Sequence, residues 1–181
     1  MSNYFSQTIS RKEMRKLAYA IRKEFGYLHE WWIPVETLLD QMCKVFPEFS
    51  YEIIDDEEWH DPTAYADTDI LEKTIRIRES VYEKACKGYG CDRMIIAHEI
   101  AHYFLICVIR LNLYFSNGEK IKPCNDPEWQ AKCLAGELLI PYYILKHQNK
   151  PIPPNLLASY CGVSYEAAIY QLKFVSGGDV S

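Results

Sequence analysis

The sequence has 181 residues, of which 49% are hydrophobic and 25% are charged, as is usual for a globular protein with one packed core. The net charge is −5, so the chain lacks the basic surface that non-specific nucleic-acid binding requires. The start, MSNYFSQTISRKEMRK, has no apolar signal-peptide core, no stretch has the pattern of a membrane span, and the seven cysteines form no CxxC pair. We therefore expect a cytoplasmic protein with free thiols that contacts neither nucleic acid nor a membrane directly.

The first third of the chain predicts two helices. Ser10 and Glu13 form a capping-box pattern that predicts a helix through about Phe25, with Gly26 as its stop. The basic stretch RKEMRK in this helix is expected to face solvent. The segment IPVETLLDQMCKVF has apolar residues at helical spacing and predicts the second helix.

Two segments with alternating polarity follow. FSYEII and KTIRIRE alternate apolar and polar residues and predict short strands, with a third short strand at residues 63–66 in the acidic segment between them. These strands predict a small antiparallel sheet.

From Cys91 onward the pattern is helical. RMIIAHEIAHYFLICVIR, residues 93–110, predicts a helix that is apolar on almost every side. Asp126 and Pro127 predict the start of a helix over PEWQAKCLAGELLI, and Pro141 marks its end or a kink. NLLASYC and SYEAAIYQLKFV, joined by Gly162 and Val163, predict a final helix pair with the length of a helix-turn-helix.

The apolar helix over residues 93–110 carries His98, Glu99 and His102, the HExxH arrangement. Residues four apart lie on one helix face, so both imidazoles can bind one ion, and Glu99 lies at the edge of that face. Burying three polar side chains without hydrogen-bond partners would cost roughly several kcal/mol of folding free energy, and binding a metal ion would remove that cost. Two imidazoles suit zinc, and a neighbouring carboxylate can take a proton from water.

A third ligand is predicted on the next helix. On a helical wheel, Glu128 lies on the apolar face, whereas Gln130 and Glu137 lie near the opposite side, so Glu137 is expected to be solvated. A first-turn acid favoured by the helix dipole is the competing explanation for Glu128. Other possible ligands nearby are Cys124, Asp126 and Cys133.

HEIAHYFL followed by EWQAKCLAGELLIP resembles the ImmA/IrrE family of zinc metallopeptidases. In that family an HExxH helix precedes an ExxAxxxAxxLLxP helix, and the second pattern is matched here by Glu128, Ala131, Ala135, Leu138, Leu139 and Pro141. WIPVETLLDQM, TIRIRESV and LLASYCGVSYEAAIYQLKFV resemble further parts of the family, so the resemblance extends from about Ile33 to Val175. Lys132 departs from the family pattern, which often has Asn there, and could lower the pKa of Glu128 or extend outward.

The resemblance implies a mostly helical, zincin-like α+β metallopeptidase domain over residues 1–150, with a helix-turn-helix-like pair over residues 151–181 packed on it. It also implies Zn²⁺ bound by His98, His102 and Glu128, with Glu99 as the base and proton shuttle. The implied substrate is a helix-turn-helix transcriptional repressor of a phage, mobile element or stress-response locus. An additional oxyanion donor is expected, and the candidates are Tyr103, Tyr142, Tyr143 and His147.

Two alternatives stay open at this point. The protein could instead sense or sequester a repressor without cutting it, and a fourth zinc ligand such as Cys124 or Asp126 would favour that function. The C-terminal helix pair could read DNA, but SYEAAIYQLKF carries one Lys and one Glu, so packing against the core is favoured. The sequence does not indicate an oligomeric state.

Overall fold

The computed structural model describes residues 4–115 and 121–176, so residues 177–181 of the predicted C-terminal pair lie outside the described residues. Within the described ranges the chain forms eight α-helices and five short strands, which confirms the predicted α+β class. The helices are α1 (Arg11–Glu24), α2 (Val35–Val45), α3 (Glu79–Cys86), α4 (Gly90–Tyr103), α5 (Pro127–Leu139), α6 (Tyr142–Lys146), α7 (Pro154–Cys161) and α8 (Tyr165–Ser176). The strands are β1 (Tyr4–Ser6), β2 (Ser50–Ile54), β3 (Ala66–Asp69), β4 (Thr74–Arg78) and β5 (Leu113–Phe115).

The strands form two small sheets. In the three-stranded sheet the order is β2-β4-β3, so β3 is an edge strand. β3 runs antiparallel to β4, as predicted for the small sheet, with Thr68 opposite Ile75. β2 runs parallel to β4, with Tyr51 opposite Ile75, because the chain crosses over between the two strands instead of turning back directly. β1 and β5 form a separate antiparallel pair.

The helix that carries HExxH packs closely on the helix that carries Glu128. Ala97 and Ala101 on α4, and Ala131 and Ala135 on α5, are all fully buried. Small side chains at a helix interface allow the two backbones to approach each other, so the two ligand-bearing helices can lie side by side. α4 ends at Tyr103 and continues as one π-helical turn over Phe104–Val108, where the predicted helix was continuous.

A buried cluster of charged side chains holds α1 against α5 and α8. Glu137 was predicted to be solvated, and this prediction is wrong: its side chain is 1% exposed and lies 3.1 Å from Arg11 and 3.2 Å from Arg15. Burial raises the pKa of Glu137, while Arg15 and Arg11 oppose that rise. The RKEMRK stretch is therefore not a purely solvated face. Arg15 also donates to the Phe174 carbonyl at 2.7 Å, so the cluster holds α8 against α1.

The two C-terminal helices meet at a tight turn. Gly162 has φ +59°, and a Cβ atom there would lie 2.1 Å from the Trp32 ring. Buried Arg93 on α4 stacks on the same ring at 3.7 Å and donates to the Gly162 carbonyl at 2.7 Å. These contacts, together with those of α8 against α5 and α6, hold the helix pair on the core. The division of the chain at residue 150 stays a prediction.

Two further observations concern the chain as a whole. Every one of the seven cysteines is a free thiol. Among the described residues, no helix combines the length and apolar character needed to span a bilayer.

Candidate metal centre

The two histidines of the HExxH sequence converge on one point. His98 and His102 project from the same face of α4, and their Nε2 atoms are 3.1 Å apart. The rings meet edge to face, with centroids separated by 4.6 Å. Both side chains are largely buried, but each still reaches a cavity that opens to solvent. The four-residue spacing thus places two potential nitrogen ligands on one helix face.

Glu128 completes a group of three potential ligands. Its Oε2 lies 3.2 Å from His98 Nε2, and its Oε1 lies 3.4 Å from His102 Nε2. His98, His102 and Glu128 each offer one ligand atom, and these atoms lie within 4.8 Å of one another. Hydrogen bonds from His102 and His98 hold the pKa of Glu128 well below its usual range. The carboxylate is therefore ionised and aimed at the imidazoles.

The start of α5 positions Glu128. Asp126 is the N-cap residue, and its Oδ1 accepts a hydrogen bond from the Glu128 backbone N–H at 3.0 Å. Pro127 occupies the first helical position, where its missing N–H costs nothing. The Glu128 side chain is 52% exposed, so this residue lies at the mouth of the site and not on a fully buried face.

Glu99 lies beside the three ligands, on the wall shared by two cavities. It is buried, and its Oε2 accepts a hydrogen bond from the Thr68 hydroxyl at 2.7 Å. Thr68 belongs to the edge strand β3, which runs next to α4. Thr68 could not be identified from the sequence, because a single threonine in a strand carries no recognisable pattern.

Neither of the alternative loop ligands joins the group. The Cys124 thiol points to Asn125 Oδ1 at 3.5 Å, and Asp126 is engaged as the N-cap. Cys133 is buried on α5, where burial raises the pKa of its thiol to about 12, and it does not join the ligand group. Lys132 is exposed and lines the larger cavity. The group of three ligands that the described residues supply therefore includes none of these competitors.

The residues named as possible oxyanion donors lie elsewhere. Tyr103 is buried against Phe49 with ring centroids 4.6 Å apart, and Tyr142 stacks on Arg15 at 3.7 Å. Tyr143 donates its hydroxyl to the Leu28 carbonyl. These three residues and His147 are absent from the lining of both cavities at the ligand group. The geometry thus gives none of them an oxyanion role.

Two imidazoles from one helix, a carboxylate from the next and a second carboxylate beside them make an arrangement of the metallopeptidase type. The family model described as the IrrE N-terminal-like domain, Peptidase M78, matches residues 60–173 of this chain. The chain belongs to this family, as the resemblance in its two helix motifs predicted.

The solved structures add a likeness in fold. A Mycobacterium tuberculosis transcriptional regulator matches 92% of this chain with a TM-score of 0.58 and 15% sequence identity. The match covers 48% of that regulator, so this chain spans about half its length. Identity at this level shows a shared fold alone. No curated protein matches the sequence significantly.

Proposed function

We propose that the protein is a zinc-dependent endopeptidase that cleaves a helix-turn-helix transcriptional repressor. Membership of a peptidase family supports a metallopeptidase-type activity. The observation that carries the proposal is the convergence of His98, His102 and Glu128 from two helices, with Glu99 beside them. The choice of a repressor as substrate rests on the resemblance to the ImmA/IrrE family.

The three side chains fit a zinc ion. Ligands about 2.0–2.1 Å from a tetrahedral zinc are separated from one another by roughly 3.3 Å. The two Nε2 atoms are 3.1 Å apart, Glu128 Oε2 lies 3.2 Å from His98 Nε2, and the other carboxylate oxygen, Oε1, lies 3.4 Å from His102 Nε2. One ligand atom from each residue thus lies within 4.8 Å of the others, and these atoms are of the types that zinc prefers. When bound, zinc would lower the pKa of water toward ~7 and polarise a peptide carbonyl.

Glu99 would move the proton during hydrolysis. Its carboxylate lines both cavities, where a peptide and a water molecule can reach it. Because the Thr68 hydroxyl donates a hydrogen bond to Glu99 Oε2, the other carboxylate oxygen, Oε1, is the one that accepts the proton from the attacking water. Glu99 then passes this proton to the leaving amine nitrogen. Thr68 is thus a positioning residue that fixes the rotamer of the base.

An extended peptide can approach the site along β3. This strand is at the edge of its sheet, so one side of its backbone can pair with an added strand. Ala66, Asp67 and Thr68 of β3 line the same cavity as His98 and Glu99. A segment bound in this way would pass its backbone directly over the candidate metal centre.

The competing non-proteolytic function would be favoured by a closed metal site. Cys124 and Asp126, the candidates for a fourth ligand, are engaged in other contacts. Three protein ligands and one open position are typical of catalytic zinc, whereas structural zinc normally has four protein ligands. The ligand set thus supports the peptidase over a sensing module with structural zinc.

The test combines metal analysis with cleavage. Purified protein should contain one zinc per chain, and a helix-turn-helix repressor encoded near it should be cut when the two are co-expressed. The Glu99→Gln variant should keep its zinc but leave the repressor intact, because it lacks the base. Cleavage at the wild-type rate by this variant would refute the role of Glu99. Intact repressor with zinc-loaded wild type would refute the proposed substrate.

A further inference from the structure

Two unequal cavities meet at the candidate metal centre. The smaller has a volume of about 360 Å³ and the larger about 830 Å³. Both are lined by Ala66, His98, Glu99 and Glu128. A peptide whose scissile bond lies at the centre therefore extends into a different cavity on each side of that bond.

The larger cavity has the lining of a pocket for apolar side chains. It lies between α4, α5 and α8, and its volume is within the range of pockets that bind drug-sized ligands. Ile95 is one helical turn before His98 and Glu99, so the apolar surface begins directly beside the reacting groups. The principal apolar residues of its lining are Met94, Ile95, Trp129, Ile140, Ala167 and Tyr170.

Outside the candidate metal centre, the ionic side chains that line this cavity are either paired or exposed to solvent. Arg11 lines the cavity but its guanidinium is engaged by Glu137 at 3.1 Å and stacks on Phe174 at 3.8 Å. Lys132 and Glu166 are exposed and carry opposite charges. The rest of the lining is largely apolar.

The edge strand gives the direction of the bound peptide. The segment Thr63–Tyr65, which precedes β3, and the first β3 residue, Ala66, line the larger cavity, whereas Ala66 to Thr68 line the smaller one. A peptide that pairs with β3 in the more stable antiparallel direction runs opposite to β3. Its residues before the scissile bond then lie at the smaller cavity, and its residues after the bond enter the larger cavity.

We propose that the larger cavity binds a large apolar side chain, such as Leu, Met or Phe, of the residue directly after the scissile bond. This inference rests on the proposed peptidase function and names the sequence preference of the same site. Removing such a side chain from water should raise kcat/KM roughly tenfold or more over alanine at the same position.

Cleavage of a peptide library by the zinc-loaded protein tests the preference. Mass spectrometry of the products should show large apolar residues enriched directly after the cut. Enrichment before the cut instead, or no preference on either side, would overturn the inference while leaving the peptidase intact. Absence of any cleavage by the zinc-loaded protein would count against the proposed function.

A binding measurement keeps the inference testable if no peptide is cut. The probes are succinyl hydroxamates, whose hydroxamate group binds zinc. Each carries a methyl, isobutyl or benzyl group that represents the side chain directly after the scissile bond. Their affinities for the zinc-loaded protein are measured by isothermal titration calorimetry. The isobutyl or benzyl compound should bind at least tenfold more tightly than the methyl compound. Equal affinities, or no binding, would overturn the inference, whereas selective binding without peptide cleavage would overturn only the peptidase.

Filling the cavity should remove the preference. Ala167 on α8 is partly buried and lines the larger cavity, so Ala167→Trp should reduce the gain from the isobutyl group to less than about threefold. Ala20→Trp is the matched control, since Ala20 is exposed on α1 and outside both cavities. If Ala167→Trp does not fold, Ile95→Ala enlarges the cavity and should shift the preference toward the benzyl compound. An unchanged ranking in the folded variant would overturn the assignment of the cavity.

Discussion

Replacing Thr68 by Val tests whether the edge strand positions Glu99, the proposed catalytic base. The substitution keeps the branched shape of the side chain and removes the hydroxyl that donates to Glu99 Oε2 at 2.7 Å. The same hydroxyl lies 3.3 Å from the Glu99 carbonyl, but its one proton is directed to the nearer, charged oxygen. The variant should fold normally and bind zinc normally, yet cleave more slowly.

The expected loss follows from the type of hydrogen bond. A bond to a charged group contributes about 1.5–3 kcal/mol, and the low exposure of Glu99 limits compensation by water. About 1.4 kcal/mol corresponds to a tenfold change in rate. If the full free energy of this hydrogen bond serves to orient Glu99 in the transition state, kcat/KM should fall roughly 10- to 150-fold. The decrease should appear in kcat, while KM stays close to the wild-type value.

The assay compares steady-state cleavage by the wild type and by Thr68→Val, with zinc content and thermal unfolding as checks. Thr68→Ser restores the hydroxyl and should return kcat/KM to within a few-fold of the wild type. Thr37→Val is the control for a Thr-to-Val change, since Thr37 is exposed on α2. A Thr68→Val variant with wild-type kcat/KM would refute the positioning role.

Three further predictions concern the ligand set and the fold. At a zinc concentration 100 times Kd, zinc should raise the free energy of unfolding of the wild type by about 2.7 kcal/mol, and by much less in Glu128→Gln, as measured by urea denaturation with and without a chelator. Gly162→Ala should lower the free energy of unfolding by more than Gly26→Ala does. Both glycines have a positive φ, so alanine costs about 1–2 kcal/mol at either position. Only at Gly162 would the new Cβ also collide with the Trp32 ring. Equal costs would show that the Trp32 contact is unimportant. Ser10→Ala should lose about 1 kcal/mol, because the Ser10–Glu13 capping box is formed; an unchanged urea midpoint would contradict this.

Local sequence patterns predicted the parts of the fold that depend on neighbours along the chain. The capping box at Ser10, the proline-led start of α5 and the four-residue spacing of His98 and His102 each specify a geometry within one or two helical turns. Such geometry depends mainly on the backbone and on side chains a few residues away. The approach of Glu128 to the two histidines was also predicted, from its place on the apolar face of a helical wheel and from the resemblance of its helix to the second family motif.

Long-range partners were not predictable in the same way. The pairing of β2 with β4 could be guessed from their alternating patterns, but its parallel direction depends on the path of the chain between them. The third strand is at Ala66–Asp69, not at residues 63–66. This shift matters for function, since it places Thr68 on the strand and within reach of Glu99.

The error at Glu137 has a physical cause in the burial of α5. A helical wheel assigns polar residues to solvent on the assumption that one face of the helix is exposed. α5 instead packs against α1, α4 and α8, so Gln130 and Glu137 are buried on the face that the wheel assigned to water. Gln130 is satisfied by Ser6, which donates to its Oε1 at 2.7 Å, and Glu137 by two arginines of α1.

The exposures of the two acids of α5 are therefore the reverse of those that the helical wheel suggested. Glu137 is nearly inaccessible, and its charge is used to hold α1 and α8 against α5. Glu128 is half exposed at the first turn, where its carboxylate meets two imidazoles at the mouth of an open cavity. Burial and two arginine partners give Glu137 a structural role, whereas Glu128 has the position that the proposed metal site requires of its third ligand.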